Sequence, residues 1–149
     1  MMGGRVDRLS LRELLDREGV NPDAYDLDGR PVEDGLTLDL DSGMGRVLYT
    51  ERGHSSVMRE FTSEDEACSF LAEELVRYEW NLFKVVASSP YGGVSEPEFL
   101  AHWLGSVGMA RGVITEADVR FSYRPGRHGG TVICLGIRRT FLRAHELDH

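Results

Sequence analysis

Five histidines, two cysteines and a basic hairpin are the features through which this sequence of 149 residues could carry out chemistry. The histidines stand at positions 54, 102, 128, 145 and 149. His54 and His128 fall in turn-like stretches and His102 lies beside Trp103, so none is matched to a nucleophile by spacing. His145-Glu-Leu-Asp-His149 brings two imidazoles onto one face if it is helical, as a zinc site needs. It belongs, however, to a polar stretch that reads as a frayed tail, and no metal site is expected. Cys68 and Cys134 form no C-x-x-C pair, which removes zinc ribbons and thioredoxin-like centres. Cys68 lies early in a helical pattern, a position that can lower a thiol pKa, but a small buried core residue is the simpler expectation. Cys134 falls in an apolar strand. Gly3-Gly4, Gly92-Gly93 and Gly129-Gly130 are turn dipeptides, and neither a phosphate-cradling loop nor a nucleophile elbow occurs. Arg120, Arg124 and Arg127, with Arg138 and Arg139, make a basic hairpin able to grip an anion. No catalytic residue and no cofactor follow from these spacings.

Charge carries more information. The formal net charge is −8, and its distribution is uneven: residues 1–80 hold 19 acidic and 9 basic side chains, residues 81–149 hold 6 and 8. A nucleic-acid binder needs a basic face to displace counterions from phosphates, so the first half suits a basic partner instead. Seven of its acids, Asp23, Asp26, Asp28, Glu33, Asp34, Asp39 and Asp41, crowd residues 21–41 around one base, Arg30, and one aromatic, Tyr25. A calcium loop is excluded there. With Gly29 at the sixth loop position, the first and twelfth fall on Ala24 and Gly35, where carboxylates are required. A charged segment with an embedded aromatic fits a protein-binding face, with Tyr25 as its anchor.

These side chains must be positioned by helices and strands whose signals are clear. Ser10-Leu-Arg-Glu13, Ser63-Glu-Asp-Glu66 and Ser95-Glu-Pro-Glu98 are capping boxes that predict three helix starts. Leu9 with Leu14, and Val94 with Phe99, are placed as hydrophobic staples, and Gly19 stops the first helix. Ala67, Phe70, Leu71, Leu75 and Tyr78 form one apolar face of the second helix, and Phe99, Leu100, Trp103, Leu104 and Val107 one of the third. Leu36, Leu38 and Leu40 alternate with polar residues as in a half-buried strand. Turns at 42–45 and 52–54 lead to strands at 46–51 and 56–61, an antiparallel meander. Strands are also expected at 82–87, 119–123 and 131–141, the last central because its apolar run is continuous. The residues after Leu142 read as a tail. The order predicts an α+β fold, a mostly antiparallel sheet with about three helices on one face or end. Residues 1–149 form a single domain, with sub-layers 1–87 and 94–142 and a flexible tail at 143–149.

Composition agrees with a globular domain: 41% hydrophobic and 28% charged residues. No apolar run approaches the roughly 18 residues of a membrane span, and the first residues lack a signal peptide's apolar stretch. Two unpaired cysteines suit a reducing cytoplasm.

Leu11-Arg-Glu-Leu-Leu-Asp-Arg-Glu-Gly19, Asn21-Pro-Asp-Ala-Tyr-Asp-Leu27, Leu48-Tyr-Thr-Glu-Arg-Gly53 and Arg59-Glu-Phe-Thr-Ser-Glu-Asp-Glu-Ala-Cys68 occur in that order. Over residues 9–75 the chain thereby resembles a group of small actinobacterial proteins encoded beside polymorphic toxins and regarded as immunity proteins. The resemblance implies a non-catalytic inhibitor that binds a cognate toxin domain, and it transfers no catalytic residue. Many toxin domains that attack nucleic acid are basic, which the acidic half would complement. Two other readings stand beside it: a small enzyme or ligand-binding domain using the hairpin 119–139 and a histidine, and a self-associating structural module.

Overall fold

The computed structural model describes residues 6–41 and 44–148. Gly3-Gly4, Ser42-Gly43 of the turn at 42–45, and His149 lie outside the described residues. The fold is α+β, with four helices and two mostly antiparallel sheets among those residues. Contacts divide the chain into two compact units, Met1–Leu82 and Phe83–His149. The boundary thus precedes the strand expected to close the first sub-layer at residue 87, and that strand pairs in the second sheet.

The first unit runs α1 (Arg8–Glu18), β1 (Tyr25–Asp26), β2 (Gly35–Asp41), β3 (Met44–Glu51), β4 (His54–Phe61) and α2 (Glu64–Arg77). Strands β2, β3 and β4 form the expected antiparallel meander, and β1 adds a two-residue parallel edge. Leu38 and Val47 of the sheet are buried with Leu11 and Leu15 of α1 and Ala67, Cys68, Leu71 and Leu75 of α2. Leu36 and Leu40 pack against this core, so the alternation in β2 places its leucines towards the helices. Thr37, on the other face, is buried as well and donates its hydroxyl to the Arg30 carbonyl at 2.7 Å. Helix α2 approaches β3 so closely that a Cβ on Gly45 would lie 2.5 Å from that of Ala67. On edge strand β4, Arg59 stacks over Phe61 and Phe70 at 5.7 and 5.4 Å.

Helix α1 begins a turn earlier than its expected box. Asp7 is the N-cap: its carboxylate accepts from the Ser10 amide at 2.8 Å, and the Ser10 hydroxyl accepts from the Asp7 amide at 3.0 Å. Ser10 therefore serves as the third helical residue. The staple positions move to Val6 and Leu11, both part of the core, while Leu9 is exposed. Two donors at this start are held from far along the chain, the Val6 amide by Asp65 at 2.6 Å and the Arg8 amide by Glu64 at 2.8 Å. Gly19 ends α1 in the left-handed region at φ 74°.

The second unit runs β5 (Phe83–Pro90), α3 (Glu96–Ser106), β6 (Val119–Pro125), β7 (Thr131–Arg138) and α4 (Arg139–Ala144), with the antiparallel order β5-β7-β6. Strand β7 is central, as its apolar run requires. Ile133, Leu135 and Ile137 share one face and pack with Phe99, Trp103 and Leu104 of α3 and with Phe141 and Leu142 of α4. The strand expected through residue 141 stops at Arg138, where β5 and β6 both begin and ladder partners run out. The segment expected as a flexible tail holds the end of α4. Leu147 packs against the second core, and Asp148 pairs with Lys84 and Arg143 at 3.6 and 3.7 Å.

Candidate functional site

The acidic residues of 21–41 are placed by the fold in several different environments, and two of them, Asp26 and Glu33, hold the backbone. The Asp26 carboxylate accepts from the amides of Asp28 and Arg30 at 2.9 and 2.8 Å, shaping the loop after β1. Asp28 pairs with Arg8 and Arg12 of α1 at 3.3 and 3.4 Å. Glu33 accepts from the Arg52 and Gly53 amides and so ties down the β3–β4 turn. Asp39 pairs with Arg46 across β2 and β3. Asp41 is exposed at the end of β2 and Asp23 in the 3₁₀ turn Pro22–Ala24. Tyr25 is partly buried and packs against the first core.

Asp34 has a different setting. It adopts the left-handed region at φ 57°, which aspartate tolerates better than most residues, and its amide donates to the Thr50 carbonyl at 2.8 Å. It lines a cleft of about 620 Å³ that also takes in Leu36, Tyr49, Glu74, Leu75 and Tyr78. Leu36 and Tyr49 are cross-strand partners on the helix-facing side of the sheet. Glu74 is largely buried and pairs with Arg77, one helical turn on, at 2.9 Å. Tyr78, expected on the apolar face of α2, instead caps its end and is 63% exposed. Asn81 braces this rim: its side chain donates to the Leu75 carbonyl at 2.9 Å and its carbonyl accepts from the Asn21 amide at 2.7 Å. Partial burial, and then the negative charges of Glu51, Asp34 and Glu33, raise the pKa of Tyr49 above the usual phenol value. The cleft is therefore walled by two tyrosines and carries two carboxylates, Asp34 and Glu74. It has the character of a receptor for a cation. Tyr49, Glu74 and Tyr78 are functional candidates that sequence reasoning missed.

The basic hairpin is partly committed to packing. The guanidinium groups of Arg120 and Arg138 stand over the Phe83 ring at 5.0 and 4.9 Å. Arg120 also donates to the Glu116 and Val119 carbonyls, and Arg138 to that of Ala117. Arg124 and Arg127 are exposed. A second cleft, of about 440 Å³, lies within the second unit between α3 and β6. Leu100, Leu104, Ile114 and Phe121 give it an apolar lining, while Glu96, Arg111 and Glu116 supply charge; among the described residues, no hairpin arginine and no histidine lines it. Glu96 accepts a hydrogen bond from the Tyr123 hydroxyl, and that bond pushes the phenol pKa up to about 12.

The thiols offer no nucleophile. Both are buried and unbridged. Burial, followed by the charges of Glu64, Asp7 and Asp65, pushes the Cys68 thiol up to about 12, opposite to what its place near a helix start suggested. His54, His102 and His128 are exposed, and the His145 ring lies 4.3 Å from that of Phe141. The zinc-like spacing from His145 requires a continuous helix, but α4 ends at Ala144 and Glu146 takes φ 57°. Among the described residues, no three His, Cys, Asp or Glu side chains are grouped to hold a metal, and no helix is long and apolar enough to cross a membrane. No protein-family model matches the chain, and neither a curated protein nor a solved structure matches it.

Proposed function

We propose that the chain is a non-catalytic protein-binding domain of the immunity type, which neutralises a cognate toxin domain by direct binding through its acidic half. The observation that carries this reading is the coincidence of charge and structure. The 19 acids and 9 bases counted over residues 1–80 fall in the first unit, since residues 81 and 82 are Asn and Leu, and the rest fall in the second. A unit with a net charge of −10 steers a basic partner into encounter and suppresses acidic ones. On this reading the protein acts in the cytoplasm of a bacterial cell, and its partner contacts include the acids from Asp23 to Asp41. Co-expression with the toxin domain encoded beside it tests the proposal, scored by survival and co-purification. Death of cells that hold well-folded protein refutes it.

A second reading is supported by the apolar cleft between α3 and β6, whose volume falls in the range of small-molecule sites. A compound that raises the melting temperature and loses its effect in Phe121→Ala would favour ligand binding.

A further inference from the structure

We infer that the cleft formed by Asp34, Leu36, Tyr49, Glu74, Leu75 and Tyr78 is a receptor for an arginine side chain presented by a basic protein partner. The inference rests on the protein-binding reading above and names the chemistry of its anchor. Each part of an arginine has a counterpart here. Leu36, partly exposed, offers apolar surface to the methylene stem, with buried Leu75 behind it; long cationic side chains bury such stems readily. Tyr49 and Tyr78 line the cleft with aromatic rings, on which a guanidinium plane can stack. Asp34 and Glu74 offer carboxylates to its fork of N–H donors. Lysine, a compact and strongly hydrated point charge, uses such a wall less well.

The charge around the cleft selects a cation. Glu33 and Glu51 add to the field that Asp34 exerts on Tyr49. Glu74 does have a partner in Arg77, but that guanidinium is 70% exposed. A pair within one helix whose cation stands in solvent is weak, so Arg77 gives way to an incoming guanidinium at little cost. A second copy of this chain is the disfavoured occupant, because two chains of net charge −8 repel. A basic surface is drawn to the same unit by its net charge, which makes a protein partner the source of the arginine.

Titration of the full chain with N-acetyl-arginine amide, followed by amide chemical shifts, tests this directly. N-acetyl-lysine amide serves as the competitor probe. Saturable shifts are expected at Leu36, Tyr49, Leu75 and Asn81, with arginine at least threefold tighter than lysine. Asp34→Asn combined with Glu74→Gln should weaken arginine binding at least fivefold while the melting profile stays two-state, and Glu60→Gln on strand β4, which does not line the cleft, should leave it unchanged. Shifts of equal strength for lysine, shifts spread over the whole acidic surface, or arginine binding retained in the double variant overturn the inference. Self-association abolished by the double variant overturns it in favour of a second copy. If the titration fails while co-expressed cells survive, the arginine receptor is rejected and the immunity reading stands. If arginine binds the cleft but the cells die, the immunity reading falls, and with it the partner assigned to the cleft.

Discussion

The two units share a plan, a mostly antiparallel sheet with helices on one face, yet they serve the polypeptide backbone with opposite charges. In the first unit, carboxylates satisfy main-chain donors: Asp7 caps α1, Glu64 and Asp65 hold the Arg8 and Val6 amides, Asp26 shapes a loop, and Glu33 ties a turn. In the second, guanidinium groups satisfy main-chain acceptors, as Arg120 and Arg138 do at the Glu116, Val119 and Ala117 carbonyls. Net charge in each unit therefore partly records which half of the peptide group the side chains serve. The lesson concerns counting. The acidic surface not engaged with the main chain is smaller than the acidic composition suggests, and Asp34 and Glu74 are among the acids that line an opening instead.

The comparison is tested most severely at its two cores. Leu38→Ala and Leu135→Ala each remove a fully buried side chain and should cost about 2–5 kcal/mol in chemical denaturation. Hydrogen exchange should then rise in the first unit for Leu38→Ala and in the second for Leu135→Ala. Equal loss of protection in both units for either variant would merge the two cores into one and break the comparison.

Glycine separates the units next. Gly45→Ala puts a methyl 2.5 Å from the Ala67 Cβ and should destabilise by about 1–3 kcal/mol through overpacking. In α3, a Cβ on Gly105 meets nothing within 4 Å, so Gly105→Ala should stabilise by about 0.5–1 kcal/mol. Urea midpoints moving in the same direction for both would contradict the close approach of α2 to β3.

Helix caps should show parity instead. Ser63 and Ser95 each accept from the amide three residues on, at 3.2 Å in both cases. Ser63→Ala and Ser95→Ala should each cost about 1 kcal/mol, and a markedly larger loss for one would show that its serine does more than cap.

The smallest effect is a pH dependence confined to the first unit. Hydrogen bonds from Ser10 hold the Asp7 carboxyl below the usual aspartate value. A carboxyl depressed on folding contributes stability that is full above its unfolded pKa and is lost as pH falls through the folded value. Asp7→Asn should therefore lose stability relative to the parent at neutral pH, with the gap closing in acid. A gap independent of pH would mean that the charge of Asp7 contributes nothing to the cap.

Much of the architecture was legible because its signals are local. The alternation of Leu36, Leu38 and Leu40 sets a strand face, and the serines at 63 and 95 cap the helices that their boxes predict. Where local signals compete, the reading slipped. Ser10 is chemically fit to be a cap or to answer one, and only the distant anchors Glu64 and Asp65 reveal that α1 starts a turn earlier. The apolar run from Thr131 reads as strand to Phe141, since nothing in it records that β5 and β6 begin opposite Arg138 and Ile137. The Asp23–Asp41 segment was visible as acidic, but the cleft was not. Asp34, Tyr49 and the end of α2 that carries Glu74 and Tyr78 lie far apart in sequence, so their meeting depends on strand pairing and on the place where α2 stops.

The anchoring of the start of α1 sets a timetable for biosynthesis. The two acids that hold Val6 and Arg8 lie 59 and 56 residues further along the chain. At a synthesis rate of about 5–20 residues per second, several seconds separate the making of that helix start from the making of its anchors. Its core partners in α2 arrive equally late. An isolated helix of 11 residues is marginal in water, so α1 waits as a nascent, largely unstructured segment on the ribosome. The earliest described element of its unit is then among the last to become secure.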